Sequence, residues 1–176
     1  DTFEEDTTPS CTYPSGPYSF TSVGDTVAPM HWPLAMARPD ESTEADLELL
    51  YCDPDVHSIF IQIVWISCPY CPERMREIAL HSGDWETYGA KWIFIITDAA
   101  TPAEADAYTS GQGVSFGWST NDADNSEGAS IIDSSPIYTG VPWTGVIRAS
   151  DMQIVHDEAD GTRLDIVSIA MELAPP

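Results

Sequence analysis

The sequence predicts an α/β domain with a central mixed β-sheet flanked by helices, set behind an N-terminal extension. Three observations predict it. Residues 58–66 and 91–97 are apolar at nearly every position, the mark of strands buried on both faces. A helical stretch from about Pro69 to His81 separates them with short connections, which makes a βαβ unit with parallel strands and a right-handed crossover. The chain then closes with a hairpin and an apolar-faced helix, so antiparallel strands join the same sheet. With 176 residues, one such domain buries a substantial core.

In chain order, residues 1–10 are acidic and threonine-rich with almost nothing to bury, and read as a tail. A turn-rich segment rich in Pro and Gly follows, from Tyr13 to Tyr18. His31–Ala37 reads as one short strand, and Glu44–Leu50 as a helix of about two turns ended by Cys52-Asp53-Pro54. In the helix over 69–81, Cys71, Met75, Ile78 and Ala79 share an inward stripe while Glu73, Arg76 and Glu77 face out. Pro102–Tyr108 opens a short helix with Pro at its start and Glu104 in its first turn. Gly111–Ile137 is polar and carries no clear period. Trp143–Arg148 and Met152–His156 form the hairpin, and Thr162–Leu173 the closing helix.

Composition narrows the function. Hydrophobic residues make up 43% of the chain and charged residues 20%, a globular balance rather than that of a disordered polymer. The net charge is −23, with Lys91 the only lysine, so nucleic-acid backbones and anionic lipid surfaces would be repelled. No apolar stretch approaches the roughly 20 residues of a membrane span. The chain starts at Asp1 without the charged and apolar regions of a secretory signal. Together with the Cys11 and Cys52 pair, this sets the expectation of an extracytoplasmic protein: periplasmic, surface-tethered or secreted. Asp122, Asp124, Ser126, Gly128, Ser130 and Asp133 follow the spacing of a calcium loop. Glu127 stands where that loop needs Gly, and in so acidic a chain a solvated loop is the simpler reading.

The chemistry concentrates at Cys68-Pro69-Tyr70-Cys71, where the first apolar strand gives way to its helix. The first amides of a helix lack intrahelical partners, and the macrodipole adds about half a positive charge there. A thiolate at Cys68 is stabilised by both, and the thiolate is the nucleophile of disulfide exchange. Cys68 is therefore expected to be the exposed attacking sulfur and Cys71, on the inward stripe, the sheltered resolving one. Cys11 and Cys52 stand isolated in turn-rich segments and read as a structural disulfide closing a long loop. Two other readings use the same Cys68/Cys71 thiolates: a copper-binding or metal-delivery module, or a non-catalytic domain with a permanently closed bridge. Disulfide exchange itself needs no cofactor and no metal.

The strand–CxxC–helix order, followed by Val141-Pro142 before a hairpin and a terminal helix, resembles the thioredoxin superfamily. Val23-Gly24-Asp25 with Pro29 is similar to the longer extracytoplasmic members of the TlpA/redoxin type, and the resemblance runs over residues 22–173. It implies a thioredoxin-like domain over 22–176, with 1–21 as an acidic, turn-rich extension. It implies a thiol–disulfide oxidoreductase in which Cys68 and Cys71 are catalytic. Pro142 is then cis beside the dithiol, and substrate docks against Pro69, Tyr70, Val141, Pro142 and Trp143. Its partners are protein disulfides or dithiols and a redox protein that supplies or accepts electrons.

Four departures stand out. Pro69-Tyr70 is the glutaredoxin dipeptide, but no Gly-Gly motif follows Pro142. Ser67 stands where thioredoxins carry Trp directly before the first cysteine. Gln62 replaces their buried acid, so proton removal from Cys71 falls to water or another group. Trp65 occupies the Thr/Ser position that peroxiredoxins need, which argues against peroxidase chemistry.

Overall fold

Strand β4 (Ser58–Val64) is buried at every residue and forms the spine of the sheet in the computed structural model, which describes residues 11–39, 41, 44–122, 140–158 and 161–176. It pairs in parallel with β5 (Ala90–Ile96) and antiparallel with β7 (Trp143–Arg148). With β2 (Met36–Ala37), β6 (Trp118–Thr120) and β8 (Gln153–Asp157), the six-stranded order is β2-β6-β5-β4-β7-β8. The mixed sheet expected from the sequence is present. Two short strands, β1 (His31–Trp32) and β3 (Ala45–Asp46), pair separately.

Alternation along β4 divides the core in two. Ile59, Ile61 and Ile63 pack on one side with Trp32, Leu47, Ile93 and Trp143. Phe60 and Val64 pack on the other with Cys68, Cys71, Met75 and Ile78 of α2 (Cys71–Leu80) and with Ile166 and Ile169 of α5 (Ile166–Leu173). Helix α1 (Leu47–Cys52) packs into the first side, and α3 (Ser82–Thr87) and α4 (Pro102–Gly111) into the second. The N-terminal segment closes one edge: Thr26 bridges Gln153, and Phe20 sits edge-on against Trp143 at 5.9 Å.

Several expectations change in detail. The single strand at 31–37 divides into β1 and β2, because Pro33 has no N–H to pair and the chain turns, with Ala35 N–H bonding Trp32 O at 3.2 Å. The helix expected at 44–50 starts later, where the Asp46 carboxylate caps it by accepting from Glu48 N–H at 2.8 Å and Leu49 N–H at 3.3 Å. In the same way Asp165 accepts from Ser168 N–H and starts the last helix at Ile166 rather than Thr162. Helix α2 begins at Cys71, two residues after Pro69. Strand β6 lies inside the stretch that reads as irregular. Its lead-in needs Gly117, at φ 70°, where a Cβ would sit 2.3 Å from the carbonyl oxygen of Trp92. The calcium-like run beyond Asp122, and the tail at 1–10, lie outside the described residues.

Candidate active site

The end of β4, the loop at 65–70 and the first turn of α2 bring Cys68 and Cys71 together as a disulfide, with Cα atoms 5.5 Å apart. Cys71 is the first helical residue, and its free amide donates to Cys68 Sγ at 3.1 Å. The sulfur therefore takes one of the orphan donors of the helix N-terminus although Cys68 itself precedes the helix. Cys71 is fully buried, whereas Cys68 keeps 6% of its surface. The expected order of accessibility holds, but the expected exposure does not: Cys68 is itself buried.

The loop is held by a residue that sequence reasoning missed. The Asp98 carboxylate, just past β5, accepts from Ile66 N–H at 2.6 Å, Ser67 N–H at 3.1 Å and Ser67 Oγ at 3.0 Å. Burial alone would raise its pKa, but these three hydrogen bonds outweigh that and hold it below the ordinary Asp value. Ser67, in place of the usual Trp, is thus a donor that ties the loop down. Trp65, Ile66 and Tyr70 around it remain solvent-exposed, Tyr70 at 72%.

Across from the disulfide, the Val141–Pro142 peptide bond is cis and the Val141 carbonyl oxygen lies 3.8 Å from Cys68 Sγ. Pro69 and Tyr70 are exposed beside it, and Val141 and Pro142 are half-buried. Trp143 departs from expectation. Strand alternation turns its side chain, 1% exposed, to the opposite face of the sheet, where it packs on Phe20 and over Gly145. It cannot touch a docked partner. Only its carbonyl faces the site side, accepting from Gln62 Nε2 at 2.9 Å.

Beneath α2 lies a buried polar network. Arg74, 2% exposed, donates through Nη2 to Thr144 Oγ1 at 3.1 Å and Glu158 Oε1 at 2.7 Å, and through Nη1 to Glu77 Oε2 at 2.7 Å. Thr144 Oγ1 in turn donates to Gln62 Oε1 at 2.8 Å. Glu158 also accepts from Leu164 N–H at 2.9 Å. Arg163 bonds Glu77 from outside, and the two arginines overcome the effect of burial to hold the Glu77 pKa down. Arg74 was legible in one respect: three residues after Cys71, it belongs on the inward stripe. Its partners come from distant strand ends and leave no local signal.

A cavity of about 260 Å³ is lined by Tyr70 and Pro142, the neighbours of Cys71 and Val141, together with Arg74, Glu158, Thr162 and Arg163 among others. A larger one, about 630 Å³, lies against His57, Lys91 and Trp92, with neither Cys68 nor Cys71 in its lining. Among the described residues no three His, Cys, Asp or Glu side chains converge as a metal site. Cys11 and Cys52 form a second disulfide, S–S 2.08 Å, with both residues exposed. No helix among the described residues is long and apolar enough to cross a membrane.

No family model matches the chain, and no curated protein matches it in sequence. Solved structures do match. A thiol:disulfide interchange protein from Bacteroides sp. superposes with TM-score 0.59 at 11% identity, covering 88% of this chain and 91% of its own. The thioredoxin domain of a thiol-disulfide oxidoreductase from Bacteroides vulgatus gives 0.57 at 13% identity, covering 86% and 96%. A mitochondrial 2-Cys peroxiredoxin from Plasmodium falciparum gives 0.53 at 11%, covering 88% and 91%. The fold is thioredoxin-like.

Proposed function

We propose that the protein is a thiol–disulfide oxidoreductase that exchanges disulfides with protein substrates through Cys68 and Cys71. The observation that carries this reading is the position of Cys68 Sγ, between the Cys71 amide at the head of α2 and the carbonyl of Val141 beside cis Pro142. In the reduced protein the Cys68 thiolate attacks a substrate disulfide. A Cys68–substrate bond forms and one substrate sulfur leaves as thiolate. Cys71 loses its proton and attacks Cys68 Sγ, closing Cys68–Cys71 and releasing the second substrate thiolate. Two electrons pass from dithiol to substrate; run backwards, the cycle oxidises a substrate dithiol, and a redox partner resets the pair. The substrate segment lies extended along Val141-Pro142, with Pro69 and Tyr70 at its border.

Peroxide chemistry fits less well despite the peroxiredoxin likeness, because Trp65 stands where that chemistry needs a hydroxyl. An extracytoplasmic location agrees with an exposed Cys11–Cys52 bridge, which an oxidising compartment preserves. The test is insulin reduction with dithiothreitol as electron source. Wild type is expected to accelerate it and Cys68→Ser to fall to the uncatalysed rate. Full activity in Cys68→Ser would end the proposal.

A further inference from the structure

Gln62 is neutral, and the buried network it joins through Thr144 holds two opposite charges, Arg74 and Glu158. We propose that Arg74 and Glu158 are positioning residues that set the stability of the Cys68/Cys71 thiolate form with opposite signs. The inference rests on the reading of Cys68 and Cys71 as an exchanging pair.

Arg74 stands one turn beyond Cys71 on the same buried face of α2. Helical side chains lean towards the N-terminus, so its stem runs back over the turn that carries the cysteine. Its guanidinium bonds Thr144 Oγ1, two residues beyond Pro142, whose loop supplies the carbonyl beside Cys68 Sγ. The charge is thereby pinned between the helix that carries the dithiol and the strand that faces it. Glu158 reaches the same guanidinium from the end of β8 and is 9% exposed, so neither charge is screened by water as a surface ion would be.

Opening the Cys68–Cys71 disulfide with two electrons leaves a thiolate and a thiol at neutral pH. That new negative charge is attracted by Arg74 and repelled by Glu158. Other charges stand around the pair: Glu77 and Arg163, bonded to each other, Glu73 outside them, and Asp98 under the loop before Cys68. Glu77 is also bonded by Arg74 and keeps its Arg163 partner when Arg74 is replaced, so each single substitution still removes one sign of charge. A purely structural clamp would behave otherwise, since loss of either partner loosens the same contact and moves the dithiol the same way.

The experiment equilibrates each protein with reduced and oxidised glutathione at pH 7 and measures the fraction of Cys68–Cys71 disulfide. The Cys68 thiol is titrated alongside by its alkylation rate against pH. Arg74→Met is expected to favour the disulfide by about fivefold or more and to raise the thiol pKa. Glu158→Gln is expected to shift both quantities the opposite way by a similar factor. Arg74→Lys, which keeps the charge without the planar fork, should remain within about twofold of wild type. If Arg74→Met does not fold, Glu158→Gln and Arg74→Lys carry the test alone. Shifts of one sign in both variants, or none beyond twofold, overturn the inference. A wild-type pair that never exchanges with glutathione overturns the oxidoreductase reading instead, and the two failures are told apart by that control.

Discussion

The two disulfides occupy contrasting ends of two helices. Cys52 is the last residue of α1, where the helix dipole is negative, and its bridge to Cys11 lies at the surface. Cys71 is the first residue of α2, and its amide donates to a bridge that is nearly buried. On the proposed function, exposure alone would pick the wrong pair as reactive. A thiolate released at Cys52 lies at the negative end of a helix, whereas one released at Cys68 meets the Cys71 N–H at the positive end of another, with a buried arginine one turn on. The surroundings of the sulfur separate a fastener from a reagent, together with the length of chain each bridge closes.

Chain length gives the largest expected effect. The Cys11–Cys52 bridge joins residues 41 apart, whose loop-closure entropy corresponds to about 4 kcal/mol of stability, while a bridge spanning 3 corresponds to less than about 2 kcal/mol. Replacing Cys11 and Cys52 together by Ala should lower unfolding free energy by several kcal/mol in urea, while insulin reduction per folded molecule stays near wild type. A double variant that keeps its stability, or loses activity while folded, breaks the division between the two bridges.

The second expected effect is on the ease of opening. Against graded dithiothreitol at pH 7, Cys68–Cys71 should open first, with a reduction potential at least about 30 mV above that of Cys11–Cys52, a tenfold difference in equilibrium constant. Alkylation followed by peptide mass mapping reads each pair separately. Simultaneous opening would show that helix polarity does not distinguish them.

Much of this contrast was legible in the chain. The apolar run at 58–64 could only be a central strand, and the CxxC directly behind it had to meet the head of a helix. Val141-Pro142 was legible through its resemblance to a known loop. What stayed hidden depended on long-range geometry. Trp143 read as a rim residue because its neighbour is the proline, but a single step along a strand reverses the face. Asp98 and Glu158 are two acids among 29, and nothing local marks them as the ones that meet Ser67 and Arg74. The strand at Trp118–Thr120 is short, and two of its residues are polar, so it shows no apolar run despite complete burial.

Asp98 gives the smallest expected effect and the finest test, because it holds the loop that leads into one bridge and has no such contact with the other. Its carboxylate is half of the contact that keeps the loop before Cys68 closed. Asp98→Asn retains the shape but loses the charge, and should cost about 1 kcal/mol at pH 7, a modest figure because the group faces solvent. The folded pKa lies below the unfolded value of about 3.9, so the ionised carboxylate stabilises the fold above that value. That contribution fades as pH falls through the depressed folded value. Urea unfolding of wild type and Asp98→Asn at pH 7, 4 and 2 should therefore show a gap that narrows in acid. Alkylation of reduced Cys68 should be faster in the variant at pH 7, because a loosened loop uncovers a residue that is now buried, while the Cys11–Cys52 bridge opens as before. A gap that stays constant with pH would mean that the hydrogen-bonded shape of residue 98, and not its charge, holds the loop in place.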